Sequence, residues 1–367
     1  MAEDFAISEL IIPGTYIRVR AEGLIGVGGI PTGNIGIVGT VAADNAAANT
    51  TLNLSDYATA HDTLGLYDAF GGGAGKLNLT RGLELLYQNG ASTVYARPLP
   101  LSAAGALPGQ SDFTDAFREL LKEDVNILVA PQLSTDDAKA VFGTIVTEAE
   151  NAGEDVMAVI GTDKTTPDDV KAQAPDNGRI IFTAPGIQGY DAAAKATVNL
   201  PGTYAAAAVA GLISTLTPQT SPTNKSLPGV VHVTKRFAYG EIKSLLGGRV
   251  MVLEERQGGV RVVRGLTTDD GAFKQVTTRR ITDFAKAGMR AASNPFIGRL
   301  NNQRVRAALA GALNGFLTTM LQDEALTGYS LDVTATRQDE LNGRAMVNAI
   351  LQPTFSIDFI AVTLVLQ

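Results

Sequence analysis

The sequence contains no cysteine, no tryptophan and only two histidines, His61 and His232, among its 367 residues. Without cysteine the chain cannot form a disulfide, bind zinc or an iron–sulfur cluster through sulfur, or use a thiol nucleophile. Two histidines that lie far apart in the sequence leave little from which to build a histidine metal centre or a serine–histidine–aspartate triad. These absences exclude several of the commonest classes of catalytic and metal site.

Long hydrophobic runs are also missing. The longest apolar run, residues 204–213, is about half of the ~20 residues that a membrane-spanning helix needs. The first residues include Glu3 and Asp4, where a secretory signal would have basic side chains. We therefore expect that the chain is made in the cytoplasm of a bacterial host cell and does not insert directly into a membrane. With 45% hydrophobic and 18% charged residues, the composition is typical of an ordered chain of two or three domains.

The glycine-rich stretches do not complete a nucleotide-binding motif. Residues 70–77 (FGGGAGKL) resemble a phosphate loop, but Phe70 replaces its first glycine and Leu77 replaces the Ser or Thr that would bind magnesium. Residues 23–39 have Pro31 where the third glycine of G-x-G-x-x-G should stand. Residues 269–271 (DDG) indicate a turn, because the rest of a calcium-binding loop is missing. We expect no enzyme activity, no metal site and no cofactor.

Helices and strands alternate in the middle of the chain. Residues 113–122, 135–152 and 204–216 have helical patterning, and the apolar runs 125–130, 156–160 and 179–184 indicate buried strands. Alternation of this kind predicts an α/β layer with a buried, mostly parallel sheet. The strands 250–253 and 260–263 flank two glycines and predict a hairpin.

The last third of the chain has a different pattern. A boundary is expected near residues 267–271, and Asn294-Pro295 has the form of a helix start, before an apolar stripe that continues to about residue 326. Two strands are then predicted at 329–336 and 355–366. In the second, Phe355, Ile357 and Phe359 alternate with polar or smaller residues.

The first twenty residues are rich in β-forming side chains that Pro13-Gly14 divides into two short extended pieces. An ordinary first strand would explain this pattern. An arm that pairs with a neighbouring subunit is the alternative interpretation, because exposed strands tend to add to the sheets of other chains.

One segment carries an unusual charge. Residues 271–310 have a net charge of +7, whereas the rest of this acidic chain has −14. A solvated helix face is one interpretation, and a surface that binds an acidic protein is another. Aromatic residues for base stacking are few, so nucleic acid is not expected as a partner. The eight basic residues opposed only by Asp283 are Lys274, Arg279, Arg280, Lys286, Arg290, Arg299, Arg304 and Arg306.

Several short segments, taken in their order along the chain, resemble contractile phage tail sheath proteins, a family shared with bacterial contractile injection systems. The resemblance covers nearly the whole chain, although the aromatic-rich strand usual before the paired arginines is reduced here to Phe273. The segments are 12–17 (IPGTYI), 35–40 (IGIVGT), 87–97 (YQNGASTVYAR), 124–131 (DVNILVAP), 201–211 (PGTYAAAAVAG), 221–229 (SPTNKSLPG), 260–267 (VRVVRGLT), 279–280 (RR) and 296–302 (FIGRLNN).

The resemblance implies a mixed α+β and α/β fold of two domains with extended terminal arms. It divides the chain into an arm (1–20), an outer α/β region (21–266), an inner domain facing a tail tube (267–352) and a C-terminal exchange strand (353–367), with some early strands assignable to the inner domain. The eight basic residues would then face the tube. Strand exchange with neighbouring subunits would involve Ile11, Tyr16, Ile17, Phe355, Ile357 and Phe359.

The resemblance also implies the partners and the location. The chain would polymerise with itself into a helical homo-oligomer of stacked hexameric rings around the tube protein, with a baseplate and a tail terminator at its ends. It would lie in the tail of a virion or in a contractile injection particle, and would contract to drive the tube through a cell envelope. Two alternatives stay open: another self-assembling shell or surface-layer protein, and an α/β enzyme that binds a nucleotide or sugar.

Overall fold

The structure is a computed structural model that describes residues 30–71 and 75–365. Thirteen strands and ten α-helices lie in these ranges. The predicted arm, with Ile11, Tyr16 and Ile17, falls outside the described residues, as do residues 72–74 of the glycine-rich loop. Among the described residues, no helix combines the length and the apolar character needed to cross a bilayer.

A twisted sheet of eight strands forms the centre of the molecule. From one edge to the other its order is β11-β10-β6-β5-β4-β1-β3-β2, and the six inner strands are parallel. The strands of the whole chain are β1 (Ile35–Val41), β2 (Leu52–Leu54), β3 (Val94–Pro100), β4 (Ile127–Val129), β5 (Met157–Gly161), β6 (Ile180–Ala184), β7 (Ile187–Asp191), β8 (Ala196–Leu200), β9 (His232–Val233), β10 (Met251–Arg256), β11 (Gly259–Val262), β12 (Leu326–Thr334) and β13 (Met346–Pro353).

Helices cover both faces of this sheet, which explains why its inner strands are apolar on both sides. Helices α1, α2 and α6 pack on one face with the side chains of Ile37 and Val159, and α3, α4, α5 and α7 pack on the other with Val38 and Ala158. The helices are α1 (Tyr57–Leu64), α2 (Leu79–Gln88), α3 (Gln110–Leu120), α4 (Thr135–Ala152), α5 (Pro167–Gln173), α6 (Gly202–Ser214), α7 (Tyr239–Gly247), α8 (Val276–Ser293), α9 (Gln303–Gln322) and α10 (Arg337–Leu341).

Helix α6 lies unusually close to the sheet. All but its last residue is buried, and most of its side chains are alanine or glycine, which lets the backbone approach β5. A Cβ added to Gly161 would lie 1.8 Å from the carbonyl oxygen of Gly202. Beside the main sheet, β8, β7 and β9 form a small antiparallel sheet. The predicted α/β layer is therefore confirmed, and α4 has the predicted bounds.

Residues 276–353 form a second packing layer of helices α8 and α9 and the antiparallel hairpin β12–β13. Phe316 and Leu317 of α9 pack against Ile281 and Ala285 of α8. The prediction that the long helix begins at Asn294-Pro295 was wrong. Asn294 has helical dihedrals and ends α8, and residues 294–296 form one 3₁₀ turn. Helix α9 begins after Asn302, whose side chain accepts the backbone N–H of Val305 at 2.9 Å.

The predicted final strand is also wrong for the isolated chain. The last strand is β13, and residues 354–365 follow it without strand pairing. A strand exists only where another strand satisfies its backbone N–H and C=O groups, and no described strand of this chain pairs with that segment. The apolar alternation at Phe355, Ile357 and Phe359 is present nevertheless, and all three side chains are exposed.

Candidate assembly surfaces

The eight basic residues of the 271–310 segment do not lie together on one exposed face. Arg279 and Arg280 are buried, Lys274, Lys286 and Arg306 are half-buried, and Arg290, Arg299 and Arg304 are exposed. The residues also point into different surroundings, because four of them (Arg279, Arg280, Lys286 and Arg290) lie on α8 and bind partners within the chain. The eight residues therefore do not form the single tube-facing surface that was expected.

The paired arginines hold the fold together. Arg280 donates hydrogen bonds to the backbone carbonyls of Thr32 at 2.9 Å, Leu216 at 2.8 Å and Thr217 at 3.2 Å. Burial lowers the pKa of Arg280 to about 10, which still leaves it charged at neutral pH. Arg279 forms an ion pair with Asp283 one turn later on α8. Because both guanidinium groups are buried and bind partners within the chain, Arg279 and Arg280 are not part of an exposed tube-facing surface.

Lys286 and Arg290 belong to an ion network between α8 and the main sheet. Both bind Asp155, a buried carboxylate just before β5, and Arg290 does so at 2.8 Å. Buried Arg179 also reaches Asp155, at 2.6 Å, and Glu150, at 2.8 Å. Burial alone would raise the pKa of Asp155, but hydrogen bonds from Lys286 and Arg290 outweigh it and hold the pKa below its usual value. The hydrogen bond from Arg179 lowers the pKa of Glu150 to about 2.

A basic surface does exist, at the amino-terminal end of α9. Arg306 pairs with Glu340 of α10 at 3.0 Å, and Asn301 donates to the carbonyl of Arg344 at 2.6 Å. These contacts bring the α10 segment beside the loop that precedes α9. We call the resulting surface the end face; its members are Ile297, Arg299, Leu300, Arg304, Arg306, Arg337, Leu341 and Arg344.

The end face combines charge with exposed apolar area. Ile297 and Leu300 are each 79% exposed and flank Arg299, whose guanidinium lies 5.2 Å from the ring centroid of Phe296. Sequence reasoning missed Arg337 and Arg344, which lie after α9 and β12 in the chain. No local signal in the sequence links them to residues 297–306, because the link is made by hairpin packing.

Lys274 lies elsewhere, in a groove of about 770 Å³ between α7 and the carboxyl-terminal half of β10. Phe359 of the C-terminal segment lines the same groove, together with Tyr239 and Leu246 of α7. The segment thus contacts its own subunit close to the groove, although its apolar side chains remain exposed.

Two surfaces are suited to strand addition. In the described part of the chain, β12 and β13 pair only with each other, so the outer edge of each offers unpaired backbone groups. The segment 355–365 offers a row of large exposed side chains: Phe355, Ile357, Phe359, Ile360, Val362, Leu364 and Val365. An exposed apolar row of this size indicates an interaction surface.

One acidic cluster was found among the described residues. Asp176, Asp269 and Asp270 bring carboxylate oxygens within 4.8 Å of one another. Asp269 accepts the backbone N–H groups of Gly271 at 3.0 Å and Phe273 at 2.9 Å, so it holds the turn that the sequence indicated. Asp269 is therefore explained by local structure.

Comparison with protein families decides the class of this chain. The family model described as the phage tail sheath protein central domain matches residues 107–268, and the one described as the phage tail sheath C-terminal domain matches residues 268–367. The chain belongs to the phage tail sheath family. The resemblance noted from the sequence is thereby confirmed. No curated protein sequence matches the chain.

Solved structures show the same fold as this sheath chain. It matches a chain of the sheath complex of an extracellular contractile injection system (PVC) in its contracted state over 96% of this chain and 97% of the other, with 16% identity and a TM-score of 0.76. The contracted helical sheath of the anti-feeding prophage matches over 96% and 99%, with 17% identity and a TM-score of 0.74. A sheath tail protein from Desulfitobacterium hafniense matches over 93% and 100%, with 14% identity and a TM-score of 0.66.

Proposed function

We propose that this chain is the repeating subunit of a contractile sheath, with a structural rather than a catalytic role. It assembles helically with copies of itself around a tube and shortens to drive the tube through a cell envelope. The observation that carries the proposal is that the same chain has two open strand edges, on β12 and β13, and an exposed apolar segment, at residues 355–365. A chain that offers both a donor strand and an acceptor edge is suited to polymerise.

Strand exchange supplies the contacts along the sheath. The segment 355–365 of one subunit adds to an edge of the β12–β13 hairpin of a neighbour, where backbone hydrogen bonds provide affinity and Phe355, Ile357 and Phe359 fill apolar pockets. The N-terminal residues Ile11, Tyr16 and Ile17 add to the second edge of such a hairpin. Each subunit is then both donor and acceptor, and stacked hexameric rings become a continuous mesh.

The end face is the contact with the tube. Five arginines against Asp339 and Glu340 give this end of the C-terminal layer a positive charge, which suits an acidic protein surface. Salt screens the attraction between exposed charges. Burial of Ile297 and Leu300 against the tube adds binding free energy that does not depend on this attraction. Repeated over many subunits, individually weak contacts of this kind add up to the barrier that holds the sheath extended.

Contraction moves each subunit as one body. The ion network around Asp155, together with Arg280, ties α8 to the main sheet through buried contacts. The exchange segments act as hinges between subunits. A baseplate starts the transition and a tail terminator closes the far end. The assembled protein therefore lies in a virion tail or an injection particle, after synthesis in the host cytoplasm.

Electron microscopy of the purified full-length chain tests this function. We expect hollow striated tubes of one diameter. A triple variant, Phe355→Ser with Ile357→Ser and Phe359→Ser, should form no tubes while keeping its melting temperature. Leu66→Ser with Leu107→Ser is the matched control, because both leucines are exposed on the central layer, and it should form tubes normally.

Two outcomes would contradict the proposal. Tubes formed normally by the triple variant would show that the C-terminal segment is not the donor strand. A wild-type chain that stays monomeric at high concentration and also fails to coat an acidic tail tube would exclude the sheath function itself. Flat sheets in place of tubes would favour a surface-layer protein.

A further inference from the structure

The C-terminal segment contacts its own subunit through its polar side chains. Burial alternates with a period of two over residues 354–359, as in an extended chain whose successive side chains face opposite ways. The even-numbered residues face inward: Thr354 donates from its hydroxyl to the carbonyl of Glu324 at 2.6 Å, and the backbone N–H of Ser356 donates to Oε1 of Gln275 at 3.4 Å. The odd-numbered apolar residues face solvent. This is the reverse of an ordinary amphipathic edge strand.

Asp358 is the innermost point of this contact. Its side chain is 5% exposed, whereas that of the next residue, Phe359, is 78% exposed. Its carboxylate accepts hydrogen bonds from Nε of Arg264 at 2.6 Å, Nε2 of Gln275 at 3.3 Å and the hydroxyl of Thr223 at 3.4 Å. The Ser356 hydroxyl adds a fourth bond, at 3.1 Å. A buried carboxylate with this many partners has a defined position, because moving it away from them would leave a buried charge without hydrogen bonds, which costs free energy.

Beyond Asp358 the segment has no comparable attachment in the described structure. Every residue from 359 to 365 is exposed, although the Phe359 ring lies 5.0 Å from the Arg264 guanidinium. The attachment site is formed by the loop of Thr223, the end of β11 and the start of α8, next to residue 268, where the two sheath-family regions meet. A pull on the free part of the segment would therefore act at the joint between the two layers.

We propose that Asp358 is an anchor that stays bound to Arg264 of its own chain in the assembled sheath. It fixes the register in which Phe355, Ile357 and Phe359 are presented to a second copy of the chain, and the point from which residues 359–365 depart. Register matters because a slip of one residue would turn the apolar side chains toward the subunit and the polar ones toward the partner. This inference rests on the proposed sheath function, and Asp358 acts in it as a positioning residue.

A charge-exchange experiment tests whether the anchor acts within one chain. Asp358→Arg and Arg264→Asp, made separately, should each lower the fraction of protein that pellets as tubes by about tenfold or more, as expected for the loss of a buried charged hydrogen bond. The double variant with both changes in one chain should recover tubes. A mixture of the two single variants should not recover them, since neither chain can then make the contact internally.

Each outcome of this experiment supports or overturns the anchor. Recovery in the mixture would show that the contact forms between copies, and tubes formed normally by both single variants would show that the contact has no positioning role. Asp44→Asn, which removes an exposed acid in the loop between β1 and β2, is the matched control and should assemble as wild type does.

A second measurement does not depend on assembly. In the unassembled chain, Asp358→Asn should increase the rate of chymotrypsin cleavage after Phe355 or Phe359 several-fold over wild type and over Asp44→Asn, as followed by intact mass. Equal rates would overturn the anchor even if the sheath function holds. A wild-type chain that makes no tubes and also fails to coat an acidic tail tube, together with faster cleavage of the variant, would contradict the sheath function and leave the anchor supported.

Discussion

The ion network around Asp155 gives the sharpest quantitative prediction. Asp155→Asn removes a carboxylate whose side chain is 4% exposed and which binds Arg179, Lys286 and Arg290. Removing one partner of a buried ion pair costs about 3–5 kcal/mol, because the remaining charges stay buried without compensation. Here Arg179 keeps Glu150 at 2.8 Å and Asp283 at 3.2 Å. We therefore expect the lower end of that range, about 3 kcal/mol.

The expected loss converts into a measurable change in melting temperature. An unfolding entropy of about 2.1 cal/mol/K per residue, summed over the whole chain, makes a loss of about 3 kcal/mol equivalent to a decrease of about 4 °C. Differential scanning calorimetry at pH 7 measures it. The matched control is Asp136→Asn, which breaks an exposed ion pair with Lys139 and should cost no more than about 0.5 kcal/mol, or less than about 1 °C.

The stability difference between wild type and Asp155→Asn should also depend on pH. Asp155 has a pKa below its usual 3.8 in the folded chain, so its stabilising contribution is complete above that pH and is lost as the pH falls through the folded value. The difference between wild type and Asp155→Asn should stay constant from pH 8 to pH 5 and narrow below pH 3.8. Equal melting temperatures for Asp155→Asn and Asp136→Asn at pH 7 would refute the reasoning.

Three further predictions concern packing and binding. Gly288→Ala places a Cβ 1.9 Å from a phenylalanine ring of α9, so chemical denaturation should show a loss of about 1–3 kcal/mol, whereas Gly311→Ala, which points into open space, should gain about 0.5–1 kcal/mol. Arg280→Ala leaves the carbonyls of Thr32, Leu216 and Thr217 without this donor and should cost about 1.5–3 kcal/mol in the same assay. Arg299→Glu with Arg344→Glu should weaken co-sedimentation with an acidic tail tube at least about tenfold while leaving the melting temperature within about 1 °C of wild type.

Controls separate these effects from general damage. Arg118→Glu reverses an exposed charge on α3, remote in sequence from the end face, and should leave tube binding unchanged. Unchanged binding by the Arg299 and Arg344 variant would exclude the end face as the tube contact. A stabilising effect of Gly288→Ala would contradict the close packing of α8 on α9.

The sequence predicted the α/β layer well because its signals are local. Apolar strands of β-branched residues and helical spacing are patterns that extend over a few positions. The start of α9 was misplaced because Asn294-Pro295 satisfies a helix-start pattern equally well. Only the packed structure, in which α8 runs directly into a 3₁₀ turn, chooses Asn302 instead.

The basic segment shows the limit of charge counting. Its net charge is correct, but a linear count cannot reveal that Lys286 meets Asp155, or that Arg280 meets carbonyls at Thr32 and Leu216. Those partners lie 64 to 248 positions away in the chain. Separation in sequence also hid Arg344, which hairpin packing brings next to Asn301, 43 positions away.

The sequence by itself determined which residue types are missing or rare, namely cysteine and histidine, and where the apolar C-terminal row lies. Those properties follow from composition and period, which need no tertiary contact. The tertiary structure decided which charges are internal ties and which remain for a partner, and which side of the C-terminal segment faces the subunit. The physical reason is that burial and pairing depend on long-range packing, which places Asp358 against Arg264 and leaves Phe359 exposed.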